Sequence, residues 1–479
     1  MNSIDERGFF WWQDEPIPIG DFAPNTAVVG SLMVDEEGLA TLDLDGVLPN
    51  EHGPLAAFMA QDSLGIEKKR IQGILKTSNK HVMLAELVNA GGNFRPNGIS
   101  SQRFLAMSCL SSETQFRESP DPPNFCAMEI DLAGFEEWAG LRSIKSQRSS
   151  HNFSASYEAP SDISFSIGAD SGAIRYDLLG PRIGDQTAGN LLLRELATFV
   201  YTPSVALSQS EMAQQFKFFQ ELLLIFTNSE YQLAWPVLIL VAEDVRYQLY
   251  FPRQKNSGKP PEWRDCWVLL RSIVNNLSAI FTNWSNQRVA LGSAIYLYLG
   301  TRRGLTLYVE HKFVNLIWGI ESFHRAKGQE VTPDSELSKK IDRILSQISK
   351  SKDRRWLAQR LSNASEPSLQ DRIFDIVNSL PLGLDTGRVR EFSNECARIR
   401  NEISHFGVDR RSPEYTSFVR NLAVRTEALS YLYHALVLAE LGIDSAIWAK
   451  AFHTGAQSHR IIWSLKAVGL FSPQGETER

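Results

Sequence analysis

Cysteine is scarce in this sequence. The 479 residues contain four cysteines, Cys109, Cys126, Cys266 and Cys396, and no two of them form a Cys-x-x-Cys pair. Disulfide-stapled folds and thiolate zinc sites need numerous or closely spaced cysteines. The sequence therefore argues against both kinds of protein.

Long apolar runs are also missing. The longest one, around residues 235–242, is far shorter than the roughly 20 residues that a membrane-spanning helix needs. Acidic Asp5 and Glu6 stand where a secretory signal would carry basic residues ahead of an apolar segment. We expect a cytoplasmic protein that has no membrane partner.

The common motifs of cofactor and metal chemistry are not found either. The sequence has no Gly-x-x-x-x-Gly-Lys-Ser/Thr phosphate loop, no Gly-x-Gly-x-x-Gly after a predicted strand, and no His-Glu-x-x-His. We therefore expect no nucleotide cofactor and no metal ion in the working site.

Charge is distributed unevenly along the chain. Residues 1–180 hold 13 Lys and Arg against 25 Asp and Glu, a net charge of -12, whereas the remainder carries a net charge of +6. A basic C-terminal part that faces a polyanion would explain the difference. A chance difference between two folded domains explains it equally well.

The N-terminal part has the pattern of a β-rich domain. Residues 28–34 and 39–44 alternate in polarity around the turn Asp35-Glu36-Glu37-Gly38, which predicts a hairpin. Similar short runs recur to about residue 180, so we expect a sandwich or an open barrel. Further along, residues 191–201 and 211–226 read as amphipathic helices, and residues 237–250 as a returning strand pair.

Beyond a Gly- and Pro-containing linker at residues 254–261, the pattern is almost entirely helical. A chain of this length suggests two or three domains at about 150 residues each. We predict an α+β multidomain protein, with a β-rich domain over residues 1–254 and an all-α domain over residues 262–479.

One helix of the C-terminal part concentrates polar chemistry at its end. Apolar residues spaced by four and three predict a helix over 387–406 that Gly407 terminates; they are Phe392, Cys396, Ile399, Ile403 and Phe406. Beside this stripe stand Arg400, Asn401 and His405, of which the last two share a face.

This trio suits metal-free cleavage of RNA. A histidine, whose ordinary pKa is near 6.5, can take the proton of the attacking 2′-hydroxyl or protonate the leaving 5′-oxygen. An arginine can hold the phosphate, and an asparagine can orient either group. Ideal helix geometry aligns Arg398 with His405 better than Arg400, so which arginine is catalytic stays open.

These residues resemble a known family. Arg400-Asn401-x3-His405 resembles the signature of HEPN ribonucleases, an all-α group. Residues 312–325 resemble the early helix of ApeA-like HEPN domains, with Glu321 at the place of the acidic residue that faces the active site there. Residues 8–11, 30–44 and 70–73 resemble parts of the ApeA N-terminal domain.

The resemblance implies an antiphage protein that acts by abortive infection. It implies an endoribonuclease with Arg400, Asn401, His405 and Glu321 as catalytic residues, an RNA substrate for which tRNA is the expected example, and arrest of translation. The N-terminal domain would act as the regulatory sensor of a phage-derived activator.

Basic residues around the motif are candidate contacts for RNA. Residues 339–360 hold eight Lys and Arg against Asp342 and Asp353, with Trp356 among them. We predict contacts from Lys350, Lys352, Arg354 and Arg355, and from Arg398, Arg410 and Arg411 near the motif. A solvated helical face explains the basic segment equally well.

Two hypotheses of different class follow. The first is a metal-independent endoribonuclease controlled by its N-terminal domain. The second is a catalytically silent HEPN module that binds RNA or a protein. For the first, we expect a homodimer or a higher homo-oligomer, because one Arg400 and His405 pair supplies one acid–base group and the reaction moves two protons.

Overall fold

In the computed structural model, strands occupy the first half of the chain and helices the second. The structure describes residues 3–49, 69–95, 97–116, 123–180, 193–240, 245–254, 258–303, 307–328, 335–361, 366–405 and 413–471. The chain forms two compact units. The β-rich unit comprises Met1–Leu224, Ser229–Glu262 and Leu269–Val274, and the helical unit comprises Ile225–Asn228, Trp263–Val268 and Asn275–Arg479.

Six strands of the β-rich unit close into a barrel. They are β1 (Ile4–Trp12), β2 (Val28–Val34), β3 (Ala40–Leu44), β4 (Ile71–Leu75), β5 (His81–Asn93) and β6 (Ser101–Ser112). Their order is β6-β3-β2-β1-β4-β5, and β5 pairs again with β6 to close the ring. Alternate apolar side chains point inward, so Phe10, Leu42 and Phe104 are fully buried in the barrel core.

An open sheet continues from the same strand β6. It runs through β14 (Arg246–Tyr250), β13 (Val237–Leu240), β7 (Phe125–Asp131), β12 (Arg194–Thr202), β11 (Asp170–Leu179) and β10 (Ile163–Ile167). Helix α2 (Gln209–Thr227) packs on this sheet, and the rings of Phe199 and Phe219 stack with centroids 4.0 Å apart. Short α1 (Glu136–Ala139) and the separate pair β8 (Ile144–Arg148) and β9 (Phe153–Tyr157) complete the sheet region.

The predicted fold class is confirmed, with one wrong element. The hairpin of residues 28–44 forms as expected, and so do the helix near 211–226 and the returning strand pair. The helix expected over residues 191–201 is wrong, because strand β12 occupies this place. Thr198, Phe199 and Val200 favour a strand, and β12 gains backbone hydrogen bonds from β11 on one side and β7 on the other.

The helical unit is built around two long helices. Helix α6 (Val309–Ala326) packs against α11 (Pro413–Glu440), and a Cβ added at Gly319 would come within 2.8 Å of the Tyr433 ring. The contact is therefore close because residue 319 has no side chain. Three shorter helices precede α6. Helix α3 (Leu270–Ile273) belongs to the β-rich unit, and α4 (Leu277–Leu291) and α5 (Ser293–Arg302) belong to the helical unit.

The remaining helices follow α6 in the chain. They are α7 (Ser335–Ser346), α8 (Ser351–Leu361), α9 (Leu369–Asn378) and α10 (Thr386–His405), and after α11 come α12 (Ser445–Trp448), α13 (Lys450–His453) and α14 (Ser458–Ala467). Helices α9 and α10 pack against each other and against α6. No helix of the described ranges is long and apolar enough to span a membrane.

Candidate active site

Helix α10 carries the Arg-Asn-x3-His motif in its last two turns. Phe392, Cys396 and Ile399 are buried along one side, as the apolar spacing predicts, and Ile403 is half-buried. The helix is described as far as His405. The predicted end at residue 406, with Phe406 and Gly407 that were expected to close the stripe and end the helix, lies outside the described residues.

The structure brings Arg400 and Asn401 into contact. Nη1 of Arg400 donates a hydrogen bond to Oδ1 of Asn401 over 3.1 Å. The Arg400 side chain is half-buried and Asn401 is exposed. Since Asn401 and His405 are four residues apart on one helix, the two positions lie one turn apart on the same helical face. The motif thus presents a guanidinium, an amide and an imidazole position at one helix end.

Arg398, the competing arginine, is occupied by carboxylates of its own helix. Its guanidinium forms a close ion pair with Glu402, four residues on, and lies 3.9 Å from Glu395. Glu395 also pairs with Arg425 of α11. The positive charge of Arg398 is therefore largely compensated.

Glu321, the expected acidic residue, has a basic partner. Its Oε1 atom lies 3.2 Å from Nη2 of Arg325 one turn further along α6, and its side chain is 25% exposed. Arg325 also contacts Glu366 at 3.3 Å, just before α9. The partner that the structure describes for Glu321 is thus Arg325.

The other predicted RNA contacts fall in two places. Lys350, Lys352, Arg354 and Arg355 lie in and just before α8, and all four are exposed. Arg354 differs from the others because its guanidinium donates to the Ile348 carbonyl over 3.1 and 2.7 Å. Arg410 and Arg411 lie outside the described residues.

Two other histidines of the helical unit are buried. His434 on α11 contacts the Tyr298 hydroxyl closely and lies 3.2 Å from Nη2 of Arg302. Burial, followed by the charge of Arg302, holds the pKa of His434 well below its usual value. His324 is 4% exposed and lies 3.3 Å from Asp375. Neither ring is therefore accessible to a polymer.

Sequence patterns could have revealed some of these contacts. The pairing of Arg398 with Glu402 follows the i, i+4 rule for helices and was missed. The close hydrogen bond from the Tyr415 hydroxyl to Glu310 joins the start of α11 to the start of α6. No local pattern predicts it, because these residues are 105 positions apart in the chain.

Within the described residues, no three His, Cys, Asp or Glu side chains are grouped so that they could hold a metal ion. Arg400 and Asn401 offer guanidinium and amide donors, which suit an anion such as a phosphate, while the carboxylate of Glu402 pairs with Arg398.

Two family models match the chain. The model of ApeA N-terminal domain 1 matches residues 6–284, which is more than half of the sequence. The model of the Apea-like HEPN domain matches residues 314–447 and so spans Glu321, Arg400, Asn401 and His405. No curated protein and no solved structure matches the chain.

Proposed function

Because this chain belongs to the ApeA family and carries an Apea-like HEPN domain, we propose that it is a metal-independent endoribonuclease of antiphage abortive infection. The observation that carries the proposal is the Arg400–Asn401 hydrogen bond in the turn before His405. It supports Arg400 as the phosphate-binding arginine, since Arg398 is held by Glu402 and Glu395.

The proposed reaction uses the RNA itself as the nucleophile. The 2′-hydroxyl oxygen attacks the adjacent phosphorus, and one His405 imidazole accepts its proton. Arg400 donates hydrogen bonds to the non-bridging phosphate oxygens, whose negative charge grows as the fifth bond forms. The bond from phosphorus to the 5′-oxygen then breaks, and a protonated imidazole supplies the proton that this oxygen needs. The products are a 2′,3′-cyclic phosphate and a 5′-hydroxyl.

The first test is an incubation of the purified chain with total RNA in the presence of EDTA. Cleavage is expected to proceed as fast as with Mg²⁺, because side chains supply every proton and every phosphate contact. The 5′ ends should accept phosphate from a polynucleotide kinase without prior dephosphorylation. Cleavage that appears only with Mg²⁺ would contradict the proposal, and binding without any cleavage would favour the silent module.

We propose a homodimer as the smallest active unit. The reaction removes one proton and delivers another, and each chain contributes one His405. Two motif helices related by a twofold axis would place two His405 and two Arg400 around one phosphate. Asn401 and Arg398 are exposed on the polar side of α10, so this side is accessible within the chain.

Light scattering tests the dimer at the concentration of the assay. The expected mass is at least twice the 53.9 kDa of one chain. Mixing an Arg400→Ala chain with a His405→Ala chain should restore part of the cleavage, since one mixed site keeps each group once. A fully active protein that is strictly monomeric would rule out a shared site.

The remaining expectations belong to the same proposal. We take tRNA as the expected RNA, the cytoplasm as the location, and the N-terminal domain as the sensor that a phage product engages. The net charge of -12 over residues 1–180 supports a role in repelling RNA until that activator arrives.

A further inference from the structure

Helix α8 has two chemically distinct faces. Leu357, Ala358 and Leu361 are half-buried on one face, and Arg354 on the same side binds the Ile348 carbonyl in the connection from α7. The opposite face is fully exposed and carries, within nine residues, Lys352, Arg355, Trp356 and Arg360. The spacing of these four side chains places them on neighbouring positions of one helical surface.

Helix α7 repeats this division. Leu337, Ile341 and Leu345 are half-buried along one side. Lys339, Lys340 and Arg343 are exposed on the other. Helices α7 and α8 contact each other, so their apolar sides form a small shared core, and the cations remain outside. We call this pair of helices, residues 335–361, the basic hairpin.

The cations of the basic hairpin are not neutralised by carboxylates. Among the described residues, no ion pair within 4.0 Å joins a carboxylate to its exposed Lys and Arg residues, which are Lys339, Lys340, Arg343, Lys350, Lys352, Arg354, Arg355 and Arg360. Elsewhere in the helical unit many cations have such a partner: Arg325, Lys327, Arg372, Arg390, Arg398, Arg425 and Arg460. The basic hairpin thus holds eight exposed positive charges against three acidic residues, Glu336, Asp342 and Asp353, and a polyanion would relieve the repulsion that remains.

Trp356 adds an aromatic surface to this charge. Its side chain is 60% exposed, although burial of an indole is favourable. An exposed aromatic ring beside Lys and Arg side chains is typical of proteins that bind single-stranded nucleic acid. In such proteins the bases stack on aromatic rings and the basic side chains contact the phosphates. An anionic membrane also attracts basic helices, but such helices present a continuous apolar face. Here Leu337, Ile341, Leu345, Leu357 and Leu361 are half-buried, and the exposed aliphatic residue of the two helices is Ile344, so no continuous apolar face is presented.

The segment that follows the basic hairpin is held on the helical unit. Glu366, a few residues after the hairpin, forms two ion pairs. Its Oε2 atom lies 3.3 Å from Nη1 of Arg325 and 2.6 Å from Nη2 of Arg372. Arg372 is 4% exposed and also donates to the Pro367 carbonyl, so this clamp is fixed in the fold. Arg325 also binds Glu321 on α6. The chain is therefore tied, five residues after the basic hairpin, to the helix that carries Glu321.

We propose that the basic hairpin binds an unpaired stretch of the RNA substrate, with its cations on the phosphates and Trp356 stacked on a base. The inference rests on the proposed function for the identity of the polymer. It adds a recognition surface separate from the reacting groups. An unpaired stretch is required because the bases of a duplex are already stacked on each other and expose no face to Trp356.

Binding is measured on the full-length His405→Ala chain, so that cleavage does not interfere. The probes are an unstructured oligouridylate of about 15 nucleotides and an RNA duplex of about 15 base pairs. Trp356→Ala should weaken oligouridylate binding about 5- to 100-fold, since a stacked base contributes that much affinity, and should change duplex binding less than about twofold. Trp356→Phe should restore most of the loss.

Trp463→Ala is the matched control. Trp463 on α14 is 59% exposed, nearly the same as Trp356, but it lies outside the basic hairpin. This substitution should leave the binding of both probes unchanged. An equal loss from both tryptophan variants, or none from Trp356→Ala, would overturn the proposal. So would tighter binding to vesicles rich in anionic lipid than to the oligouridylate.

The charges are tested through salt dependence. The triple substitution Lys352→Gln, Arg355→Gln, Arg360→Gln should lower the slope of log affinity against log salt by about 2, because each phosphate contact contributes about 0.7 on single strands. An unchanged slope would exclude phosphate contacts at this surface. If these variants behave as expected but the wild-type chain cleaves no RNA, the proposed nuclease function fails and the binding surface stands.

Discussion

Replacement of His405 with Ala is expected to lower the rate of RNA cleavage by a factor of about 10² to 10⁴, roughly 3 to 5 kcal/mol in the activation barrier. The imidazole is the one group of the motif that can both accept and deliver a proton near neutral pH. The rate is measured with excess RNA in EDTA, and the end groups of the products are determined in parallel.

Folding should survive this substitution, because His405 follows the buried stripe of α10 rather than belonging to it. Thermal unfolding of the variant serves as the control. A His459→Ala chain, changed at a histidine of α14 outside the motif, should keep the wild-type rate. Near wild-type cleavage by a folded His405→Ala chain would exclude the nuclease assignment altogether.

Arg400→Ala is expected to reduce cleavage by about 10² to 10³, the usual effect of removing one preorganised donor to a developing oxyanion. Arg398→Ala is the matched control, since the two arginines lie two residues apart on the same helix. Arg398 is exposed and paired with Glu402, and an exposed i, i+4 pair contributes only about 0.3 to 0.5 kcal/mol. Its removal should leave the rate nearly unchanged.

The comparison has a clear opposite outcome. Ideal helix geometry places Arg398 closer than Arg400 to the face of His405. If Arg398→Ala abolishes cleavage and Arg400→Ala does not, the helix is regular up to His405 and the catalytic arginine is Arg398. The Arg400→Lys variant is a further check. An ammonium ion cannot donate the paired hydrogen bonds of a guanidinium, so this variant should keep only part of the wild-type cleavage rate.

Local sequence pattern predicted most of the helical unit. The spacing of Phe392, Cys396 and Ile399 predicts that this segment is helical and which side of α10 is buried. With 3.6 residues per turn, these three side chains fall on one face of the helix. Strand β12 shows where local pattern fails. Its Leu and Glu residues suit a helix, and only the neighbouring strands β11 and β7 decide the outcome.

The candidate site was inferred from residue types and from the family resemblance, and the catalytic roles of Arg400, Asn401 and His405 stay predictions. The ion pair between Arg398 and Glu402 could also have been predicted from the sequence. The link from Glu321 through Arg325 to Glu366 could not, because the ion pair between Arg325 and Glu366 depends on how α6 and α9 pack. The roles of the seven predicted RNA-contacting residues and of Glu321 stay predictions, as do the domain limits at 254 and 262.

Strand β6 has a consequence for how the protein is synthesised. Its first half pairs with β3 and its second half with β14, at Cys109 to Ser111, while β5 follows its other edge throughout. All six barrel strands have been translated by residue 112, but the partner of that second half arrives only with residues 246–250. At ordinary elongation rates this interval lasts roughly 10 s. During it, the ribosome-bound chain holds an open strand edge, which is the part of the molecule most exposed to mispairing with another copy.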